Sequence, residues 1–222
     1  MDAEARRARI VEAVTPIFAR KGFAGTTTKD MAEAAGVSEA LIYRHFPNKE
    51  AIYKEMLAKT PERVDEGMKR IRALEPGTDT LIETTEFLVR RFVTSKSAGR
   101  ERLMNMHRLV LHSLTEDGAF ARLVYERVNG EPLRRFEASL QVAQDEGHLQ
   151  RGLLTPRNAF WFMHHIAAQL AYSNLPDTPL TNYKGGEETL IREAVVFILR
   201  GLGMKEAVIQ KRYIERPAAD PM

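Results

Sequence analysis

Histidines and carboxylates are the side chains with which this chain of 222 residues could perform metal or acid–base chemistry. His164 and His165 are adjacent, so they point to different faces of a helix. His107 and His112 are five residues apart, which is a poor spacing for two ligands of one metal. No HExxH sequence, phosphate-binding glycine loop or nucleophile elbow occurs. An enzyme is therefore the weaker alternative, and we predict no catalytic residue, no metal and no cofactor.

Hydroxyl, basic and aromatic side chains are concentrated between residues 26 and 49, where they could bind nucleic acid. Thr27, followed three residues later by Asp30, indicates a capping box at the start of a short helix, 28–35. Gly36 can end this helix because glycine tolerates a positive φ. Two short helices joined by such a tight turn are typical of a helix-turn-helix.

Ser38 caps the second short helix, which runs to about Phe46 and is stopped by Pro47. The residues predicted to fill the seam between the two helices are Val37, Leu41 and Phe46. The residues left facing outward are Glu39, Ala40, Tyr43, Arg44 and His45. An exposed tyrosine, arginine and histidine on one short helix suit a DNA groove better than a core.

Position assigns roles to these side chains. Thr27 and Thr28 lie at a helix start, where hydroxyls and free N–H groups suit a phosphate oxygen, and Ser38 is placed similarly. The candidates for base reading are Glu39, Ala40, Arg44 and, on the preceding helix, Lys29. A glutamate can accept from a cytosine amino group, and an alanine can contact a thymine methyl.

The run GFAGTTTKDMAEAAGVSEALIYRHFPNK, residues 22–49, closely resembles the DNA-binding domain of the TetR (tetracycline repressor) family. The matching features are Gly22-Phe23, the threonine triplet, Met31-Ala32, Ala35-Gly36-Val37-Ser38, and Tyr43-x-His45-Phe46 with Lys49. The resemblance is specific over about residues 8–55. It implies that Tyr43, His45 and Lys49 contact the DNA backbone. Arg44 departs from the family pattern, which often has an aromatic residue there.

Each of these residues also has an ordinary structural interpretation. Thr27 and Ser38 would cap helices in any helical protein, Tyr43 could be a half-buried packing residue, and Lys49 alone would be a solvated lysine. The joint pattern, rather than any single residue, favours DNA binding. Residues 1–60 hold ten Lys/Arg and eight Asp/Glu, so a large electrostatic field is not expected to drive it.

Helical periodicity dominates the rest of the chain, and Pro16, Pro61 and Pro132 are expected to kink or split helices. Beyond Gly77 we predict helices at about 78–96, 100–115, 118–146, 156–174 and 187–202. The predicted fold is all-α. It comprises an N-terminal three-helix helix-turn-helix DNA-binding domain (1–47), a C-terminal helical ligand-binding and dimerisation domain (48–215) and a disordered tail (216–222).

The family layout implies a homodimer through helices 156–174 and 187–202, the second of which is apolar nearly all round. The alternative is that 187–202 is the central core helix of a monomer. The layout also implies an effector pocket. Its candidate residues are Phe92, Met104, His107, Leu111, Tyr125, Trp161, His164 and Tyr172. The alternative for each of them is ordinary core.

Taken together, these features predict a ligand-responsive repressor released from a palindromic DNA operator by a small, partly apolar effector. The absence of cysteine, of a secretory signal and of an apolar run of about 18 residues favours the cytoplasm and no membrane partner. A helical protein-interaction module with a vestigial helix-turn-helix remains the second alternative.

Overall fold

The computed structural model describes residues 3–59, 66–94, 100–152, 154–176, 178 and 180–216. Its helices are α1 (Ala3–Gly25), α2 (Thr28–Ala35), α3 (Glu39–His45), α4 (Lys49–Lys59), α5 (Glu66–Ala73), α6 (Thr78–Val93), α7 (Arg100–Thr115), α8 (Ala119–Val128), α9 (Glu131–Asp145), α10 (Pro156–Tyr172), α11 (Gly186–Gly201) and α12 (Glu206–Ile209), which continues as a π-helical turn (Gln210–Ile214). In the part of the chain that is described, β-pairing is confined to one antiparallel bridge between Leu149 and Met204. The predicted all-α class is confirmed.

Helix α1 runs through Pro16, and its non-helical residue is Gly22, with φ 71° and ψ 178°. The helix therefore continues past Pro16, where the sequence predicts a kink, and its break lies at Gly22. Proline frees the carbonyl of Glu12, four residues earlier, and Glu12 is exposed to water that can satisfy this oxygen. Glycine is favoured at position 22 because a φ of 71° with a ψ of 178° is a conformation that essentially only glycine adopts.

The first of two compact units spans residues 1–63 and 98–128, and its described helices are α1–α4, α7 and α8. One apolar cluster joins these helices through Phe18 of α1, Met31 of α2, Ile42 of α3, Ile52 of α4 and Phe120 of α8. Helix α4 and the pair α7–α8 thus pack in the same unit as the three N-terminal helices. The predicted domain boundary at residue 47 stays a prediction about the DNA-binding element.

The second compact unit spans residues 64–97 and 129–222, and within it α6 packs against α9, α10 and α11. Leu81 and Val89 of α6 are buried, as are Val195 and Leu199 of α11. The rings of Phe136 on α9 and Phe160 on α10 meet edge to face, with centroids 5.3 Å apart.

Two helix predictions in this part of the chain need correction. The helix predicted at 118–146, with a kink or split expected at Pro132, is two helices, but the break lies at Gly130. Pro132 occupies the first turn of α9, where a missing N–H is harmless. The helical segment 206–214 was not predicted from the sequence. Ile209 anchors this segment and is fully buried. The segment was missed because α12, with four residues, is too short to show a helical periodicity.

Some sequence-based expectations concern residues outside the described ranges. The interruption at Pro61 and the tail beyond Arg216 belong to this group. Arg216 itself is described, and its guanidinium lies 3.0 Å from the Glu83 carboxylate. Within the described ranges, no helix is both long enough and apolar enough to cross a bilayer.

Candidate nucleic-acid interface

Helix α3 exposes polar and aromatic side chains on one side and buries apolar ones on the other. Glu39, Ala40, Tyr43 and Arg44 are exposed, with Tyr43 at 56%, whereas His45 is half-buried. Ile42 and Phe46, four residues apart, are 1% and 0% exposed. The sequence prediction did not include Ile42 among the residues that pack between α2 and α3. Ile42 is buried, whereas the predicted residues Val37 and Leu41 are only half-buried. Four of the five residues predicted to face outward are therefore exposed, and His45 is the exception.

The turn that positions α3 forms through local hydrogen bonds. Gly36 ends α2 with φ 62° and ψ 40°, and the N–H of Val37 donates to the carbonyl of Ala32 at 3.0 Å. Ser38 Oγ then accepts from the N–H of Leu41 at 3.3 Å and caps α3. The predicted cap and stop residues are therefore confirmed.

The start of α2 carries the predicted capping box. The Thr27 hydroxyl accepts from the N–H of Asp30 at 3.1 Å, and the Asp30 carboxylate accepts from the N–H of Thr27 at 2.9 Å. Lys21 Nζ donates to the same carboxylate at 2.8 Å. The hydrogen bonds from Lys21 and Thr27 lower the pKa of Asp30 to about 2. The carboxylate beside the predicted phosphate-binding hydroxyls is therefore ionised and balanced by a lysine.

A hydrogen bond joins the two candidate phosphate-binding elements directly. Thr28 Oγ1 and Tyr43 Oη lie 2.8 Å apart, so the start of α2 and the middle of α3 present their hydroxyls together. Lys29, on the same helix, is highly exposed, and its ammonium lies 4.0 Å from Glu33. The structure thus brings Thr28, Lys29 and Tyr43 near one another, as the sequence suggested.

Lys49, at the start of α4, makes contacts within the protein. Its ammonium donates to the carbonyl oxygens of Phe23, at 2.9 Å, and Thr26, at 2.6 Å, and lies 4.7 Å from the centroid of the Phe23 ring. The side chain is half-buried against the turn between α1 and α2. The expectation that Lys49 contacts the DNA backbone stays a prediction.

Arg7 is a residue of this region that the sequence prediction missed. Its guanidinium donates to the carbonyl of His45 at the end of α3 and, at 3.1 Å, to Glu55 of α4. It also lies 4.4 Å from the centroid of the Phe46 ring. Arg7 therefore connects α1 with the C-terminal end of α3 and with Glu55 of α4. No local pattern signals this, since the partners lie 38 and 48 residues away.

The candidate effector residues divide between the two units, and each set is described by itself. In the first unit, Met104 and His107 of α7 are buried, whereas Leu111 and Tyr125 are half-buried. Burial raises the pKa of Tyr125. Met104 and Leu111 are apolar and Tyr125 presents a phenol ring, as a partly apolar ligand would require. A cavity lined by them stays a prediction.

In the second unit, Phe92 is buried, while Trp161, His164 and Tyr172 are half-buried. The His164 ring packs edge to face on Phe92, with centroids 5.8 Å apart, and on Trp161, with centroids 5.4 Å apart. Burial, and secondarily the charge of His165, lowers the pKa of His164 to about 4. His164 is therefore neutral near pH 7 and forms part of an aromatic cluster.

Helices α10 and α11, the predicted dimer helices, expose large apolar side chains in the second unit. Phe162 of α10 is 52% exposed and Phe197 of α11 is 66% exposed. The opposite face of α11 is buried through Ile191, Val195 and Ile198. Helix α11 is thus buried on one face only, and the prediction of burial on several sides awaits a second copy of the chain.

A family model for bacterial regulatory proteins of the tetR family matches residues 10–56, the segment that holds α1–α3 and the start of α4. This segment of the chain is similar to that family. Among the curated relatives that match, TtgR of Pseudomonas putida, an HTH-type transcriptional regulator, is 41% identical over 29% of this chain and 30% of its own length.

Curated relatives extend this likeness to different lengths. The uncharacterized regulator YvkB of Bacillus subtilis is 43% identical over 23% of this chain and 27% of its own length. The nucleoid occlusion factor SlmA of Aliivibrio fischeri is 32% identical over 49% and 55%, respectively. AcrR of Shigella flexneri is 25% identical over 75% and 77%. The match thus spans about a quarter of YvkB and about half of SlmA.

Solved structures share the fold along most of the chain. NalD, the secondary repressor of the MexAB-OprM multidrug efflux pump in Pseudomonas aeruginosa, has a TM-score of 0.60 at 21% identity, covering 90% of this chain and 98% of NalD. AibR, solved with isovaleryl coenzyme A and operator DNA, has a TM-score of 0.63 at 16% identity, covering 86% and 97%. The predicted architecture, an N-terminal helix-turn-helix followed by a helical domain, is therefore confirmed.

Proposed function

We propose that this chain is a transcriptional repressor that binds a palindromic operator as a homodimer and is released by a small, partly apolar effector. The observation that carries DNA binding is α3, which is apolar toward the protein and polar toward solvent. The repressor NalD and the operator-bound AibR share the fold, which supports this reading. A regulator of this kind acts in the cytoplasm, where the chromosome of a bacterium lies.

Within this proposal, α3 enters the major groove and the neighbouring hydroxyls contact phosphates. The residues assigned to the DNA backbone are Thr27, Thr28, Ser38, Tyr43, His45 and Lys49. The residues assigned to base edges are Glu39, Ala40, Arg44 and Lys29. Arg44 is exposed at the end of α3, and a guanidinium is the group best suited to bind guanine O6 and N7 together.

In this proposal, DNA binding needs a second copy of the chain, because the net positive charge of the DNA-binding region is small. Ten basic and eight acidic residues lie within positions 1–60. Among the basic residues, Arg7, Lys21 and Lys49 donate hydrogen bonds within the protein. A weak field and one short reading helix give few contacts, and two-fold symmetry doubles them at half-sites about 34 Å or more apart.

We assign dimerisation to α10 and α11, in the domain proposed at residues 48–215. Phe162 and Phe197 would be covered by the same helices of a second copy, which would remove apolar surface from water at about 25 cal/mol per Å². Exposed aromatic side chains on adjacent helices of one unit are typical of an interface that a single chain leaves uncovered.

Release would reach the DNA-binding helices through the first unit. The effector candidates Met104 and His107 lie on α7, which packs directly on α1, and Tyr125 lies on α8, which packs on α4. A ligand that prefers the DNA-free form about 100-fold, or about 2.7 kcal/mol, would relieve repression. A titration in which duplex and ligand bind independently would contradict this coupling.

Tyr43→Ala tests DNA binding without disturbing the fold. Because Tyr43 is largely exposed and alanine favours helices, the melting temperature and the dimer should stay unchanged. Duplex affinity, measured by fluorescence anisotropy, should fall about tenfold or more. Tyr183→Ala, a similarly exposed tyrosine of the second unit, is the control. Unchanged affinity in Tyr43→Ala would favour the interaction-module alternative with a vestigial helix-turn-helix.

A further inference from the structure

The first two turns of α1 lie against the C-terminal end of α3. The Arg7 guanidinium donates to the carbonyl oxygen of His45, the last residue of α3. It also lies 4.4 Å from the centroid of the ring of Phe46, the residue that caps α3. A residue next to Arg7 on α1 is therefore close to the end of the helix that is proposed to read DNA.

The positive charge of Arg7 is balanced within the protein, whereas that of its neighbour Arg6 is not. Arg7 forms an ion pair with Glu55 of α4 at 3.1 Å. Among the described residues, none forms a hydrogen bond or an ion pair with the Arg6 guanidinium, and the Arg6 side chain is half-buried. Glu4, the acidic residue of the first turn, lies about 160° from Arg6 around the helix axis. An arginine in this situation packs its stem against the protein and keeps its guanidinium in water.

The helical period places Arg6 on the side of α1 that faces α2. Lys21 lies about 60° from Arg6 around the helix axis, and its ammonium pairs with Asp30 of α2 at 2.8 Å. On the other side of the helix, a Cβ at Gly22, about 160° from Arg6, would lie 2.7 Å from Oε1 of Glu116, which follows α7. Arg6 is therefore directed away from α7 and toward the side on which α2 and α3 expose their hydroxyl and basic side chains.

Helix α3 ends in two basic residues that are themselves candidates for DNA contact. Arg44 is exposed and His45 is half-buried. Because Arg7 holds the start of α1 against the His45 carbonyl, Arg6 adds a further basic group at this end of α3. A DNA strand that passes the end of α3 would therefore meet a guanidinium that has no carboxylate partner among the described residues. A guanidinium suits a phosphate because it can donate two parallel N–H bonds to its oxygens.

We propose that Arg6 binds a phosphate of the operator next to the phosphate assigned to His45, so that α1 extends the DNA-binding surface beyond α2 and α3. This inference rests on the proposed DNA-binding function. The contacts that the family resemblance implies include no residue of α1. A phosphate contact carries no sequence information, so Arg6 contributes affinity to every duplex and does not alter which sequence is preferred.

The experiment compares Arg6→Gln with Arg122→Gln, which removes the same charge from an exposed position on α8, a helix of the same unit without a candidate DNA contact. The probe is a duplex that the unaltered chain selects from a random pool, titrated between about 50 and 200 mM salt. One neutralised phosphate contributes about 0.9 to the slope of log K against log salt, so Arg6→Gln should flatten the slope by about 1.8 for a dimer. Its affinity deficit should therefore shrink about 12-fold over this range, whereas Arg122→Gln should follow the unaltered chain.

Ethylation interference locates the contact independently. Ethylation removes the charge of a phosphate, so it weakens binding where the protein contacts that phosphate. In Arg6→Gln, one phosphate per half-site should lose the interference that it shows with the unaltered chain, and this phosphate should neighbour the one that responds to His45→Gln. Arg6→Lys keeps the charge and should therefore keep the slope, but it should bind about threefold more weakly because an ammonium lacks the planar fork.

Three results for Arg6→Gln would overturn the inference. An unchanged slope would mean that Arg6 neutralises no phosphate. A change in the selected sequence would indicate a contact with a base, and a lowered melting temperature with full affinity would indicate packing alone. If the unaltered chain selects no duplex, the proposed function fails and the inference fails with it, whereas a selected duplex with an unchanged slope refutes the role of Arg6 alone.

Discussion

Asp30 shows at the residue scale how a short helix start is stabilised. Its carboxylate accepts hydrogen bonds from the Lys21 ammonium and from the N–H of Thr27. A negative charge at a helix N-terminus also interacts favourably with the positive end of the helix dipole. The capping box could be predicted from the sequence because its two residues are three apart. The Lys21 contact could not, since it requires the turn after α1 to fold back.

The pKa of Asp30, about 2, predicts a pH-dependent stability. Because folding lowers this pKa from its usual 3.8, the stabilisation is complete above about pH 4 and is lost as the pH falls toward 2. Asp30→Asn should therefore melt below the unaltered chain at pH 7, and the difference should shrink between pH 4 and 2. Thermal unfolding across this range measures it, with Glu33→Gln as the control for charge loss from α2. A difference that is constant with pH would contradict the assignment.

Helices α1, α3 and α4 are held together at the element scale by Arg7. Local signals in the sequence predicted α2, the turn and α3, because caps and glycine stops act within a few residues. The contacts of Arg7 and Lys49 escaped prediction because they join positions 23 to 48 residues apart. Only the packed helices bring these groups together.

Arg7→Ala should destabilise the first unit by about 1–2 kcal/mol, since it removes a hydrogen bond at the end of α3, an ion pair and a cation–π contact. Urea unfolding measures this change. Arg20→Ala, exposed on the same helix, should be close to neutral. Arg7→Lys should recover only part of the stability, because an ammonium lacks the planar fork. Equal stability of Arg7→Ala and the unaltered chain would contradict the role of Arg7.

At the scale of the whole molecule, the sequence identifies the helix-turn-helix segment by specific residues at fixed spacing. It identifies the helical remainder only by the order and lengths of its helices. The family match covers residues 10–56, where turn and packing constraints fix residue types at fixed spacing. Elsewhere the requirement is for apolar side chains on helical faces, and many sequences satisfy it. This is why the helices of the second unit could be predicted, whereas the effector and the pocket could not.

The proposed dimer brings together two copies of α3. One copy offers few contacts with DNA, so specific binding requires both. The apolar faces of α10 and α11 supply the proposed interface through Phe162 and Phe197. Phe197→Glu would place a charge in that interface, where it would lack a partner. This variant therefore tests whether DNA binding requires the dimer, and it leaves the sequence of α3 unchanged.

Selection of bound duplexes from a random pool tests the central proposal, that α3 reads DNA twice per assembly, most directly. We expect the unaltered chain to select a palindrome whose half-sites lie about one helical turn or more apart, and Phe197→Glu to lose this paired arrangement. Tyr43→Ala should select nothing above background at moderate salt. A pool that stays random with the unaltered chain, or half-sites selected singly and without symmetry, would contradict the proposal.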